Sequence, residues 1–421
     1  MRAAVATKLH ETINAVWRIE SAKLIAGLMR VTRDVGIAEE LAQDALVAAL
    51  EQWPRQGVPD NPGAWLMQTA KHRAIDAVRR TQRFSEKQDD VARELDTAHE
   101  ERAPDLIEQL DDHVGDDLLR LMLVSCHPIL PSEARVALTL RLLGGLTTDE
   151  IARAFLVPEP TVAQRIVRPK KTLSDAQVPF EVPRGDELEG RVASVLEVLY
   201  LVFNEGYSAT AGDDWMRPAL CDDALRLGRM LAELVPREPE VHGLVALMEL
   251  QASRTHARTG ADGEPVLLLE QNRGRWDHLL IRRGLTSLDR AAALGRAKGP
   301  YVLQAEIAAC HARARTAEET DWKPIALTYT DLVTLIPSPV IELNRAVAVG
   351  MAFGPEAGLK LVDALRDAPA LQRYHLLPAV RGDLLEKLGR LDEAKREFLA
   401  AAALTQNERE RALLRRRAGA T

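Results

Sequence analysis

The chain has 421 residues, of which 46% are hydrophobic and 28% charged, a balance typical of water-soluble globular proteins and enough length for roughly two to four domains. Aromatic residues make up only 4% while Ala, Leu and Arg abound, which favours helices over sheets and leads us to expect an all-α fold. The net charge of −7 gives no global sign of a nucleic-acid partner, but it is unevenly spread: residues 84–116 carry twelve acidic and three basic side chains, between two mildly basic stretches, 1–83 and 117–175. Cys126, Cys221 and Cys310 lie far apart in no CxxC spacing and read as buried small hydrophobes in a reducing compartment. No apolar run reaches the roughly 18 residues that span a bilayer, and the opening MRAAVATKLHETINAVWRIESAKL lacks the apolar core of a signal peptide. A cytoplasmic protein with no membrane contact is the expectation.

In chain order, residues 9–83 read as a helical bundle. Ile13, Val16, Trp17, Ile19 and Leu24 open its apolar pattern, and Ala38 to Leu46, continued by Val47 and Leu50, is an acidic amphipathic helix. Trp53 to Pro62 holds three prolines and a glycine, which predicts a loop. A further helix runs from Gly63 toward Arg80. Trp65, Leu66, Ala70, Ile75 and Val78 form its apolar face, and Lys71, Arg73, Asp76, Arg79 and Arg80 its polar one. Residues 84–116 are too charged and too poor in large apolar side chains to build a core, and read as an extended acidic linker. The next unit spans 117–175, with one helix beginning at Leu118 to Leu123 and another at Ala134 to Leu140.

That unit ends in LTTDEIARAFLVPEPTVAQRIVRPKK, Leu146 to Lys171. Thr147 and Thr148 are hydroxyl N-cap candidates and Glu150 falls in the first turn. Ile151, Ala152 and Phe155 make an apolar stripe. Val157-Pro158 stops the helix, because the residue before a proline is pushed out of the α region. Pro160 is tolerated in the first turn of the next helix, where a missing N–H costs little. There Thr161, Gln164, Arg165 and Arg168 share one face, while Val162 and Ile166 point to the first helix. Such a helix suits a major groove, where arginine and glutamine read base edges. The same pattern also fits an ordinary two-helix corner with a solvated basic face.

Pro179, Pro183 and Gly185 mark a hinge, and from 186 to 421 helices alternate with short turns. Asn344 to Ala348 followed by Gly354 to Leu359 repeats the layout of Leu384 to Ala394. Ala357 and Ala394 stand 37 residues apart, near the roughly 34-residue tetratricopeptide period, so a stack of helical hairpins is expected. Ala400 to Ala403 suit close helix packing. Ser125-Cys126-His127-Pro128 reads as a helix end, since adjacent residues seldom face each other as a nucleophile and its base. Phe203 to Tyr207 reads as a helix end in which Gly206 supplies unusual backbone angles. Asp213, Asp214 and His242 have no metal-ligand spacing. No catalytic centre, metal or cofactor is expected.

The order of acidic helix, tryptophan-containing loop, basic helix, acidic linker and helix-turn-helix resembles the extracytoplasmic-function sigma factors of bacterial RNA polymerase. NPGAWLMQTAKHRAIDAVRR is similar to the region that meets the −10 element, and RVALTLRLLGGLTTDEIARAFLVPEPTVAQRIVRPKK to the region that meets the −35 element. VLYLVFNEGYSAT and the repeat-like tail resemble the subgroup with a fused C-terminal helical extension. The resemblance implies four segments: 9–83 as region 2, 84–116 as acidic linker, 117–175 as region 4 and 186–421 as tetratricopeptide-like domain. It implies a transcription-initiation factor that is not an enzyme, with the polymerase core (β and β′ subunits) and promoter DNA as partners and a protein partner for the tail. Glu39, Glu40, Gln43 and Asp44 would face polymerase, where carboxylates suit an arginine-rich helix. Arg55, Gln56, Asp60 and Asn61 would hold an unstacked base of the −10 element, beside Trp53 and Trp65. Lys71, His72, Arg73, Arg79 and Arg80 would follow phosphates. Thr161, Gln164 and Arg165 would make base or groove contacts, with Arg168, Lys170 and Lys171 on the DNA backbone. Pro169 departs from the family pattern, and the helix is expected to kink or end near Arg168. The acidic linker would be drawn to channels built for RNA. The alternative is a free-standing helix-turn-helix regulator with a ligand- or protein-sensing tail. It has no need of the acidic helix or the −10-like segment.

Overall fold

The computed structural model describes residues 2–74, 114–208, 216–260, 266–405 and 407–419, with side chains from residue 9 onward. Residues 84–113 of the expected linker and the phosphate-following residues Arg79 and Arg80 lie outside the described residues, as do Asp213 and Asp214, whereas 114–116 at the linker's expected end are already helical. Every extended regular element among the described residues is helical, so the chain is all-α. It divides into two compact units, Met1–Leu199 and Tyr200–Thr421.

The first unit begins with α1 (Arg2–Thr32) and α2 (Val35–Gln56). Asp34 caps α2 by accepting hydrogen bonds from the amides of Gly36 and Ile37 at 2.8 and 3.0 Å. A third helix, α3, follows over 62–74, and Asn61 caps it through the Ala64 amide at 3.0 Å. The core between them takes Ile13, Leu24, Ile25, Leu28, Leu41, Trp53 and Leu66, whereas Ile19 is exposed. The expected loop is shorter than its prolines implied. Trp53 to Gln56 continue α2 with Pro54 inside the helix, and the turn begins at Gly57 with φ +86°. Burial of Trp53 against Trp65, ring centroids 5.4 Å apart in an edge-on pair, offsets the lost backbone bond.

Then come α4 (Val114–Ser125), α5 (Ser132–Leu142), α6 (Thr148–Phe155) and α7 (Glu159–Asp175). Leu121, Met122, Leu123, Leu138 and Leu140 fill their core. The N-terminal half of α8 (Asp186–Tyr207) is tied to α5, where the Arg135 guanidinium donates to Ser194 Oγ at 2.7 Å. Ser125-Cys126-His127 makes no catalytic pair: Cys126 Sγ lies 3.2 Å from Thr139 Oγ1, and His127 Nδ1 accepts from the Ile129 amide at 3.1 Å.

The second unit takes the rest of α8 and then α9 (Pro218–Leu234), α10 (Pro239–Ala252), α11 (His278–Ala293), α12 (Pro300–Arg313), α13 (Trp322–Leu335), α14 (Pro339–Phe353), α15 (Pro355–Ala364), α16 (Leu376–Lys387), α17 (Leu391–Leu404) and α18 (Glu408–Arg417). From α9 onward, successive helices pack on one another in chain order, as hairpin stacks do. One apolar cluster gathers Leu250, Trp276, Leu288 and Val302, another Leu343, Val362, Leu385 and Phe398. Ala401 and Ala402 are buried but Ala400 and Ala403 are exposed. One close helix approach in this part is made by glycines, with a Cβ on Gly358 reaching within 2.8 Å of the Gly350 Cα. Gly206 has no left-handed backbone. It sits inside α8, and a Cβ there would lie 2.8 Å from the Cys221 amide nitrogen, so its role is close approach to α9 rather than turning. His242 is spoken for, with Nε2 2.9 Å from the Pro236 carbonyl oxygen.

Candidate nucleic-acid interface

The helix-turn-helix forms through the capping chemistry its sequence carries. Thr147 Oγ1 accepts from the Glu150 amide at 3.1 Å and Glu150 Oε2 accepts from the Thr147 amide at 2.8 Å, a reciprocal box at the start of α6. Leu156 ends α6 in the left-handed region at φ +49°, an unfavourable place for leucine, and Pro158 keeps Val157 after it out of the α region. Pro160 occupies the first turn of α7. Ile151 and Ala152 of α6 and Val162 and Ile166 of α7 are buried, so the two helices meet along the expected seam. On the opposite face Thr161, Gln164, Arg168 and Lys171 are exposed and Arg165 is half-buried.

Of the expectation that α7 kinks or ends near Arg168, the ending is overturned. The helix runs to Asp175 with Pro169 in its interior and buried. A proline there costs about 3 kcal/mol and one backbone bond. Burial of Pro169 and Leu173, on the same side as Val162 and Ile166, supplies apolar area against that cost. The continued helix then carries Lys170 away from the DNA-facing side, because Lys170 Nζ donates to Glu39 Oε2.

Glu39 was expected among exposed polymerase-facing residues. It is 3% exposed and sits on α2 against α7. Its Oε1 accepts from Arg141 Nε at 2.7 Å and from Gln43 Nε2 at 2.5 Å. Carboxylate and two cations thus form a buried network that joins the second helix of the N-terminal bundle to the helix-turn-helix segment. Further bridges run from α1: Arg18 to Glu150 at 2.7 Å and Arg30 to Asp117 at 3.4 Å. Sequence periodicity missed this, since it assigns faces of one helix but not the second element that covers them. Glu40 and Asp44, one turn apart, stay exposed, and Asp44 pairs with Arg73 at 3.2 Å. Arg55, Gln56, Asp60 and Asn61 are exposed, as is His72, while Lys71 is half-buried.

Residues 20–84 match sigma-70 region 2, and residues 120–173 match sigma-70 region 4. The chain belongs to the sigma-70 family. Residues 191–292 match a family of unknown function (DUF6596), so this sigma factor follows the extracytoplasmic-function layout with a helical C-terminal extension. It is 44% identical to "Uncharacterized protein R00370" of Rhizobium meliloti strain 1021, over 93% of this chain and 91% of that protein. It is 24% identical to "Probable ECF RNA polymerase sigma factor SigI" of Mycobacterium tuberculosis, over 41% of this chain and 58% of that protein. No solved structure matches. The presence of both sigma regions in one chain sets aside the free-standing regulator, which needs region 4 chemistry alone. The sigma factor functions in transcription initiation, and its two sigma domains imply engagement of core polymerase and promoter DNA. No helix among the described residues is long and apolar enough to cross a membrane.

Proposed function

We propose that this sigma factor reads its promoters through two surfaces. Thr161, Gln164 and Arg165 of α7 make base or groove contacts in the −35 element, with Arg168 and Lys171 on the adjoining phosphates. Arg55, Gln56, Asp60 and Asn61 hold an unstacked base of the −10 element, and Lys71, His72, Arg73, Arg79 and Arg80 follow the strand toward it. Glu40 and Asp44 dock on the β and β′ subunits of the core, whereas Glu39 and Gln43 hold α7 in place and Lys170 serves the same contact. The domains are 9–83, 84–116, 117–175 and 186–421. The last of these regulates activity through a protein partner, and the whole acts in the cytoplasm with the polymerase.

The observation that carries this reading is the exposed row Thr161, Gln164 and Arg168 on a helix whose opposite face is anchored by Val162, Ile166 and Leu173. Polar readers on a helix anchored along its opposite face are what groove recognition needs. The test is transcription in vitro with purified bacterial core polymerase and a genomic promoter library. Defined starts that appear only with the full chain support the reading, and alanine at Gln164 or Arg165 then relaxes −35 preference, each good base contact being worth about 1–3 kcal/mol. Charge reversal at Glu40 and Asp44 abolishes initiation while leaving the melting temperature unchanged. Starts that persist after both reversals overturn the docking assignment.

A further inference from the structure

The second unit holds a group of buried side-chain nitrogens with no hydrogen-bond partner among the described residues. Arg254 follows the C-terminus of α10. Its guanidinium carbon stands 5.7 Å from the Tyr207 ring centroid and 5.9 Å from that of Trp276, so aromatic surfaces bound it on two sides. Arg254 Nε is buried and has no hydrogen-bond partner among the described residues, and the same holds for Trp276 Nε1 and His311 Nδ1. Trp276 is 3% exposed and His311 7%, which puts both unpartnered nitrogens out of reach of bulk water. Leaving such a group unpaired is costly, and buried polar groups without partners are rare enough to need a reason.

Its neighbours separate structural from unoccupied charge. Arg273 is held through both terminal nitrogens: Nη1 donates to the carbonyls of His311 at 2.6 Å and Ala314 at 3.0 Å, and Nη2 to Thr320 Oγ1 at 2.8 Å, while its Nε, like that of Arg254, has no partner among the described residues. It ties the α12 C-terminus to the segment before α11. Arg258 stacks on Tyr207, 3.6 Å from its centroid, and donates to the Tyr207 carbonyl, holding the end of α8. Arg254 makes no ion pair among the described residues, yet it sits between these two fixed cations. The carboxylates nearest in electrostatic terms act elsewhere: Glu410 on Arg258, Glu318 and Glu319 on Arg273. Glu410 already accepts from Thr405 Oγ1 and pairs with His375, and Glu319 accepts from the Arg315 amide. The region thus has concentrated positive charge, aromatic walls and unused N–H groups, with no described acid in contact with Arg254.

We propose that Arg254, Trp276 and His311 form a binding site for a small molecule bearing a carboxylate or phosphate group. The guanidinium supplies charge-assisted bonds to the oxyanion, the indole and imidazole N–H groups complete its acceptors, and Tyr207, half-buried at the edge, covers the rest of the ligand. Arg258 and Arg273 add field without direct contact. This assigns the helical extension a ligand, and it stands independently of the sigma reading.

The test is isothermal titration of the full-length protein at low ionic strength with two probes, inorganic phosphate and succinate. One saturable site per chain is expected for at least one probe, and which probe binds distinguishes the phosphate from the carboxylate source. Arg254→Gln weakens that binding at least tenfold, Trp276→Phe weakens it severalfold by removing one donor, and the exposed control Arg415→Gln leaves it unchanged. Arg254→Lys, which keeps the charge but not the fork, serves if Arg254→Gln lowers the melting temperature, and it too binds more weakly. Absence of saturable binding of both probes, or equal binding by wild type and the Arg254 variants, overturns the site. Because neither polymerase nor DNA is present, failure here leaves the promoter assignment standing.

Discussion

Two charge clusters in this sigma factor have opposite logic. At Glu39 a single carboxylate meets Arg141, Lys170 and Gln43, so every charge has a partner and the cluster joins two helical segments. At Arg254 a single guanidinium meets two aromatic rings and its Nε has no acceptor among the described residues. A satisfied buried network specifies how elements pack. An unsatisfied one is a cost the fold carries for another purpose. Mutation separates the two, because removing a partnered charge strands its partners and removing an unpartnered one strands nothing.

The largest effect is expected from Glu39→Lys. It leaves Arg141, Lys170 and the new lysine facing each other behind a 3%-exposed position, and breaking a buried pair in this way costs about 3–5 kcal/mol. Urea denaturation followed by far-ultraviolet dichroism reads the loss. Hydrogen exchange places it, with protection falling first in α2 and α7. Unchanged protection in both helices would mean that the Glu39 network does not hold them together.

This contact also marks how far the sequence could be read. The capping box at Thr147 and Glu150, the stop at Pro158 and the seam of Val162 and Ile166 are local patterns, and each was legible because its cause lies within a few residues. Glu39 was not legible: its partners are 102 and 131 residues away, and helix periodicity places it beside Glu40 and Asp44 without revealing that α7 covers it. Pro169 failed for the same reason. Propensity alone ends the helix, and only tertiary burial of Pro169 and Leu173 lets it continue. Arg254 was passed over because a lone arginine after an apolar helix carries no motif. Its meaning depends on Tyr207, Trp276 and His311, which come from the end of α8, the segment before α11 and α12.

The next effect in size is the acid sensitivity of the Arg254 region. Burial, with Arg254 and Arg273 adding to it, pushes His311 down to about 3, so the folded chain holds it neutral while the unfolded chain protonates it near pH 6.5. Stability from this group is therefore complete above that pH. It falls as pH drops through the window from about 6.5 to 3, by about 1.4 kcal/mol per pH unit. His311→Gln should flatten that slope in urea titrations across the window. His127 of the first unit, pushed down to about 4 mainly by burial, gives a slope of the same sign, and its persistence in His311→Gln separates the two units. An unaltered slope would mean that His311 does not stay neutral in the fold.

Thiol chemistry tracks the same division at lower cost. Burial pushes the Cys126 and Cys221 thiols up to about 12, so neither offers thiolate to a disulfide reagent at neutral pH. Half-buried Cys310 reacts first. Cys126 lies in the first unit and Cys221 in the second, so mass spectrometry of labelled chains in rising urea reports which unit opens. Glu39→Lys should bring Cys126 labelling to lower urea and leave Cys221 where it was.

The smallest effect on stability should come from the residue with the largest proposed effect on binding. Arg254→Gln removes a guanidinium that bonds no described acid, and it relieves repulsion from Arg258 and Arg273. Its cost without added anion should stay within about 0.5 kcal/mol, the range of substitutions that break no partnership. The contrast appears when phosphate or succinate, whichever binds, is present at about ten times its dissociation constant. Wild type then gains about 1.4 kcal/mol by mass action and Arg254→Gln, binding at least tenfold more weakly, gains no more than about 0.4 kcal/mol. A loss above about 2 kcal/mol in the anion-free variant would put Arg254 with Glu39, as a charge that builds the fold. A ligand-dependent gain shared by wild type and variant would place the oxyanion elsewhere on the molecule.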